Sequence, residues 1–107
     1  MDAQIFQTLS DPTRLRIVEA MRGGECAVGE LVDRVDIKQS GVSRHLRILH
    51  EAGLVRVRPE GQRRLYSLCP EPFRELDAWL DGYRAMWESR LDRLGAQLTK
   101  PKPEPPQ

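Results

Sequence analysis

Ser40, Ser43, Arg44 and Arg47 recur at spacings of three and four, so on a helix they share one face. Hydroxyls and guanidinium groups on such a face can bond both phosphate oxygens and base edges, and no aspartate or glutamate stands among them to repel a polyanion. That chemistry points to double-stranded DNA. Catalysis has no comparable foothold. No serine or cysteine nucleophile sits in a recognisable motif with a base, and there is no glycine-rich phosphate loop. A chain of 107 residues also has little length with which to enclose a substrate. Neither catalytic residues nor a cofactor is expected. The carboxylates Glu75, Asp77, Asp81, Glu88 and Asp92 read as a solvated helix face.

The charge distribution agrees. The chain carries a net charge of +1, which alone argues weakly against a nucleic-acid partner. From Lys38 to Arg64, however, seven bases (Lys38, Arg44, Arg47, Arg56, Arg58, Arg63, Arg64) stand against Glu51 and Glu60, a balance of +5 that leaves −4 for the remainder. The positive charge is gathered into one stretch. No run of about 18 apolar residues occurs and Met1 to Leu9 lacks the pattern of a signal peptide, so the expected compartment is the cytoplasm, with no membrane partner. Cys26 and Cys69 lie far apart with no second ligand at metal spacing, and are expected to be unpaired thiols.

The elements that must hold the basic face can be placed in order. A short helix spans about Asp2 to Thr8, with Ile5, Phe6 and Leu9 turned inward. Asp11 caps a second helix, Pro12 suits its first position, and Gly23-Gly24 follows its end near Arg22. Leu15, Val18 and Met21, with Ile17 beside them, are its apolar members, while Arg14 and Arg16 could touch a DNA backbone but, as surface arginines on a helix, read as solvated. Gly29 to Val35 forms a shorter helix facing inward through Leu31 and Val35. A link from Asp36 to Gln39 then leads to the basic helix, about 38–52, whose core stripe is Val42, Leu46 and Leu49 and whose end is marked by Gly53. This is a helix-turn-helix, and its second helix is the one that enters a major groove.

Leu54 to Arg58 alternates apolar and basic residues at period two, and Arg63 to Leu68 is a second strand, with Pro59-Glu60-Gly61-Gln62 as the turn. Val55, Val57, Leu65 and Leu68 pack and Arg56, Arg58, Arg63 and Arg64 stay outside, so the hairpin 54–68 is a basic wing for the DNA backbone or minor groove. The last helix, begun at Pro70-Glu71-Pro72, runs to about Leu98 with Phe73, Leu76, Leu80, Tyr83, Trp87, Leu91, Leu94 and Leu98 in one stripe, widened by Trp79 and Met86. At about 40 Å it outruns so small a domain. A second copy of the chain is expected to cover Leu76, Leu80, Tyr83, Trp87, Leu91 and Leu94, with Ile5 and Phe6 of the first helix contributing. The fold expected is mainly α with a small β-hairpin, one domain over 1–98, followed by a disordered Pro-rich tail over 99–107.

This arrangement resembles the ArsR/SmtB-type winged helix-turn-helix repressors. The likeness is carried by LSDPTRLRIVEAM and by VGELVDRVDIKQSGVSRHLRILHEAGLVRVRPEGQRRLYSL. It implies a homodimer, joined through its terminal helices, that represses from a palindromic operator. It also implies DNA-reading positions at Gln39, Ser40, Ser43, Arg44 and Arg47, with wing contacts at Arg58, Arg63 and Arg64. His45 stands in the family's S-R-H-L, where it either bonds a phosphate or packs against the neighbouring helix. Metal ligands common in the family are missing. Ala27-Val28-Gly29-Glu30-Leu31 holds no cysteine where a C-x-C pair would stand, and Pro70 to Leu98 holds no histidine, so no metal site is expected. The inducer is left open. Two other readings remain: a protein-interaction module using the last helix, and a thiol-responsive repressor using Cys26 and Cys69.

Overall fold

The computed structural model of the chain describes residues 2–98. The chain divides into two compact units, Met1–Arg74 and Glu75–Gln107, and the proline-rich stretch 99–107 lies outside the described residues. The first unit begins with α1 (Gln4–Leu9), α2 (Pro12–Ala20), β1 (Cys26–Ala27) and α3 (Val28–Val35). It continues with α4 (Gln39–Glu51), β2 (Val55–Glu60) and β3 (Arg63–Leu68), and α5 (Pro70–Leu98) starts within it and runs on through the second.

Local chemistry sets the boundaries. The Asp11 carboxylate accepts from Thr13 N at 2.8 Å and Arg14 N at 3.1 Å, satisfying two of the orphan donors of α2, whose first residue is Pro12. At the start of α3 Glu30 Oε1 accepts from Ala27 N at 2.8 Å; this is half of a capping box, since alanine has no oxygen to supply the other half. The link to α4 is short and turns at Asp36, whose φ of 56° is left-handed. α4 ends in a Schellman motif. Leu54 N bonds Leu49 O and Gly53 N bonds His50 O, both at 3.0 Å, with Gly53 at a φ of 80° that only glycine adopts without strain.

The core is built from residues three and four apart on these helices. Ile17, Leu31, Val42, Leu46 and Leu49 are fully buried, joined by Val35, Leu54 and Val55. Burying each of these side chains contributes about 1.5–3 kcal/mol. The inward face of α2 differs from expectation: Ile17, Val18 and Met21 are buried, whereas Leu15 is 41% exposed. On α1, Ile5 is buried together with Thr8, and Phe6 is 43% exposed rather than inward. Ile5, expected to help cover a second copy, is 6% exposed in the single chain.

Arg14 and Arg16, read from the sequence as solvated, are structural. Arg14 Nε donates to Thr8 O at 2.7 Å. Arg16 Nη2 donates to Val35 O, the last carbonyl of α3, and Arg34 Nη1 of α3 donates to Ala20 O, the last carbonyl of α2, at 2.9 Å. Each helix thus caps the other's C-terminus with a guanidinium, whose charge suits the negative end of a helix dipole.

The sheet has three strands, not two, in the antiparallel order β1-β3-β2. β1 pairs Cys26 with Tyr66 and Ala27 with Leu65. β2 and β3 pair from Val55↔Leu68 to Glu60↔Arg63, which shortens the turn to Gly61-Gln62. Gly61, at a φ of 61°, takes the positive angle that such a hairpin turn asks of its first central residue. Pro59 falls inside β2, tolerated because this is an edge strand. Leu65 and Leu68, expected on one packing face, are three apart and so lie on opposite faces.

Candidate nucleic-acid interface

The same periodicity that buries Val42, Leu46 and Leu49 turns Gln39, Ser40, Ser43, Arg44, Arg47 and His50 of α4 outward, and all six are exposed. Between α4 and the hairpin runs a groove whose lining includes Ser40, Ser43, Arg44, Arg47 and His50 on one side and Val57, Arg64 and Tyr66 on the other. No carboxylate among the described residues lines it. Among the described residues, no carboxylate lies at ion-pair distance from Arg44, Arg47 or Arg64. An open channel with three uncompensated guanidinium groups, two serine hydroxyls and an imidazole is an anion-binding surface on the scale of a nucleic-acid backbone.

Gln39, His45, Arg58 and Arg63, also expected at the site, are not among the residues lining this groove. Gln39 lines an adjoining cleft with Glu30, Asp33, Gln62, Arg63 and Arg64, where the charges are mixed. Arg58 is held by Glu25 and Arg63 by Glu60, each at 2.7 Å. These bonds raise both guanidinium pKa values, and the Arg58 bond holds the Glu25 carboxyl below its ordinary value. His45, read as bonding a phosphate or packing against the neighbouring helix, is buried. Its side chain is 7% exposed, with Nδ1 3.4 Å from Arg14 Nη1. Desolvation lowers its pKa; Asp11 opposes that shift, and Arg44 and Arg14 add to it.

Sequence reasoning missed His50, Tyr66 and Glu25. A signal existed for His50, which continues Ser43 and Arg47 at i+7. Tyr66 follows from sharing a strand face with Arg64, whereas nothing in the sequence pairs Glu25 with Arg58.

The profile described as "Bacterial regulatory protein, arsR family" matches residues 11–57, from the cap of α2 through α4 into β2. The chain is 42% identical over 78 residues to the HTH-type transcriptional regulator Rv2034 of Mycobacterium tuberculosis, covering 73% of each. The chain belongs to the arsR family. It is 30% identical to the transcriptional repressor SdpR of Bacillus subtilis over 71% of this chain and 84% of that one. Among solved structures it is similar to the transcriptional repressor BigR from Xylella fastidiosa, with a TM-score of 0.60 and 37% identity over 63% of this chain and 68% of the other. The arsR-family chain is therefore a DNA-binding transcriptional regulator with a winged helix-turn-helix fold.

Cys26 and Cys69 are free thiols, the first buried. Cys26 Sγ accepts from Arg34 Nη1 at 3.1 Å and lies 3.6 and 3.7 Å from the carbonyl oxygens of Gly24 and Ala20. Among the described residues no three His, Cys, Asp or Glu side chains are grouped to hold a metal ion, and no helix is long and apolar enough to cross a membrane.

Proposed function

We propose that this arsR-family regulator is a homodimeric repressor whose two copies of α4 enter successive major grooves of a palindromic operator. Ser40, Ser43, Arg44 and Arg47, with Gln39 at the start of the helix, contact bases and phosphates, and the hairpin lies on the flanking backbone. The observation that carries this reading is the cationic groove between α4 and the hairpin, free of carboxylates. Dimerisation is supported by α5, which at 29 residues extends about 43 Å. It exposes Trp79, Leu80, Tyr83, Trp87, Leu91 and Leu94 at 40–58%, and apolar side chains exposed in such a series mark an interaction surface. The names of SdpR and BigR support repression.

The test is titration of fluorescent DNA from just upstream of the protein's own gene, at two salt concentrations, with solution mass recorded alongside. A dimer that binds tightly, resists competitor DNA and weakens steeply with salt is expected. Substituting Arg44→Ala or Arg47→Ala should cost about 1–3 kcal/mol wherever the arginine reads a base. Equal binding by the double variant and the parent would remove both residues from the interface. A monomeric parent would remove the paired-helix geometry.

A further inference from the structure

Strand alternation divides the hairpin's four arginines into two sets. Val57 pairs with Tyr66 and Pro59 with Arg64, whereas Arg56, Arg58 and Glu60 pair with Ser67, Leu65 and Arg63. Cross-strand partners share a face, so Arg64 stands with Val57 and Tyr66, and all three line the groove against α4. Arg56, Arg58 and Arg63 alternate to the other, reverse face, Arg63 lying beside the turn, where it also lines the cleft with Gln39 and Arg64. On the reverse face Arg58 Nε and Nη2 donate to Glu25 Oε2 and Oε1 at 2.7 and 2.9 Å. Nη2 also lies 3.7 Å from Glu60 Oε2, and Glu60 Oε1 accepts from Arg63 Nη2 at 2.7 Å.

Glu25 directly precedes β1 and Arg58 belongs to β2, and these two strands flank β3. The Glu25–Arg58 fork therefore crosses the middle strand. Beneath it is Leu65, whose partners on the two sides are Ala27 and Arg58 and which is 7% exposed. A guanidinium whose fork is filled by a carboxylate presents little net charge to a phosphate and releases few counterions. Among the described residues neither Arg56 nor Arg64 has such a carboxylate, and of these two only Arg64 lines the groove.

We propose that Glu25 and Arg58 are positioning residues, a brace across the reverse face of the sheet that fixes the hairpin's orientation, and that Arg64 alone among the hairpin's arginines contacts DNA phosphate. The proposal rests on the reading of the hairpin as a DNA contact. Glu25 thereby acts on DNA affinity from a place that DNA does not touch.

The experiment compares the full chain with Arg64→Gln, Arg58→Gln, Glu25→Gln and the Glu25→Gln, Arg58→Gln double variant. Fluorescence anisotropy on a duplex of about 40 base pairs from upstream of the protein's own gene gives the salt slope of binding. Hydrogen exchange of β2 and β3 amides in the free protein reads the brace directly. Arg64→Gln should lower the slope by about 0.9 for each phosphate that Arg64 neutralises, and Arg58→Gln and Glu25→Gln should leave it unchanged. Exchange in the hairpin should rise by up to about fivefold in either single variant and no further in the double. The proposal is overturned if Arg58→Gln lowers the slope as much as Arg64→Gln, if Glu25→Gln binds more tightly with a steeper slope, or if exchange is unchanged in both. A parent that binds this duplex at no salt concentration overturns the repressor reading and the Arg64 contact with it, while the exchange measurement decides the brace by itself.

Discussion

Leu46 and Arg47 are neighbours on α4 with opposite fates, one fully buried and one exposed, so they separate the helix's structural role from its binding role. Leu46→Ala removes packing among Val42, Leu49 and the elements they pack on, and such changes cost about 3 kcal/mol when the site largely collapses and more when a cavity remains. The unit Met1–Arg74 is expected to have about 4–11 kcal/mol of stability, so about half is lost. In a domain of this size that lowers the melting temperature by about 12–24 °C. At the middle of that range about 4 kcal/mol remains, so only about one molecule in a thousand is unfolded at 25 °C and the variant still binds DNA there. Arg47→Ala should do the reverse, melting within about 4 °C of the parent while losing affinity. The assay is circular dichroism melting at a single protein concentration, because the melting of a dimer depends on concentration, alongside anisotropy at 20 °C. A Leu46→Ala variant that melts with the parent, or an Arg47→Ala variant that melts as low as Leu46→Ala, would refute this assignment of faces.

Three further outcomes are expected. Trp87→Glu with Leu91→Glu should halve the mass seen by sedimentation equilibrium and abolish operator binding; an unchanged mass would mean that the stripe on α5 does not hold the copies together. Gly53→Ala should destabilise by about 1–2 kcal/mol through its left-handed backbone, since the space around it is open, whereas Gly23→Ala, in equally open space without a positive φ, should be near neutral in the same melt. His45 titrates below its ordinary 6.5, so the unfolded chain takes up the proton first; its contribution to stability is complete above about pH 6.5 and is lost as pH falls below that value. Melting temperatures between about pH 7.5 and 5.5 should show this loss in the parent and in His50→Gln, and a smaller one in His45→Gln; equal losses in all three would exclude His45 as the group responsible.

The parts legible in the sequence are those decided within one helix or strand. The stripe Val42, Leu46, Leu49 and the opposed face Ser43, Arg44, Arg47 follow from the helical period, and the caps at Asp11 and Gly53 follow from local bonding. What escaped depends on partners distant in the chain. β1 has two residues, too few to show alternation, and exists because β3 offers it a ladder. Leu15 and Ile17 are both apolar and two apart, so composition could not say which faced inward. Nothing local distinguishes Arg16 and Arg58, which are committed to Val35 O and Glu25, from Arg44, Arg47 and Arg64, which have no carboxylate partner among the described residues. A count of basic residues therefore exceeds the number of hairpin guanidinium groups that lack a carboxylate partner among the described residues.

The hairpin is read in a frame of two. Because β3 alternates without a bulge from Arg63 to Leu68, inserting one residue between Arg64 and Leu65 with Tyr66 still docked would turn Arg64 to the reverse face and bring Arg63 into the groove. Inserting two would restore the original assignment. Length changes within this strand are thus of two kinds, odd ones that exchange the arginine offered to the groove and even ones that merely lengthen the ribbon. Natural variation in hairpin length among similar chains should favour the even steps, or confine odd ones to the turn at Gly61-Gln62, where the frame is not yet set.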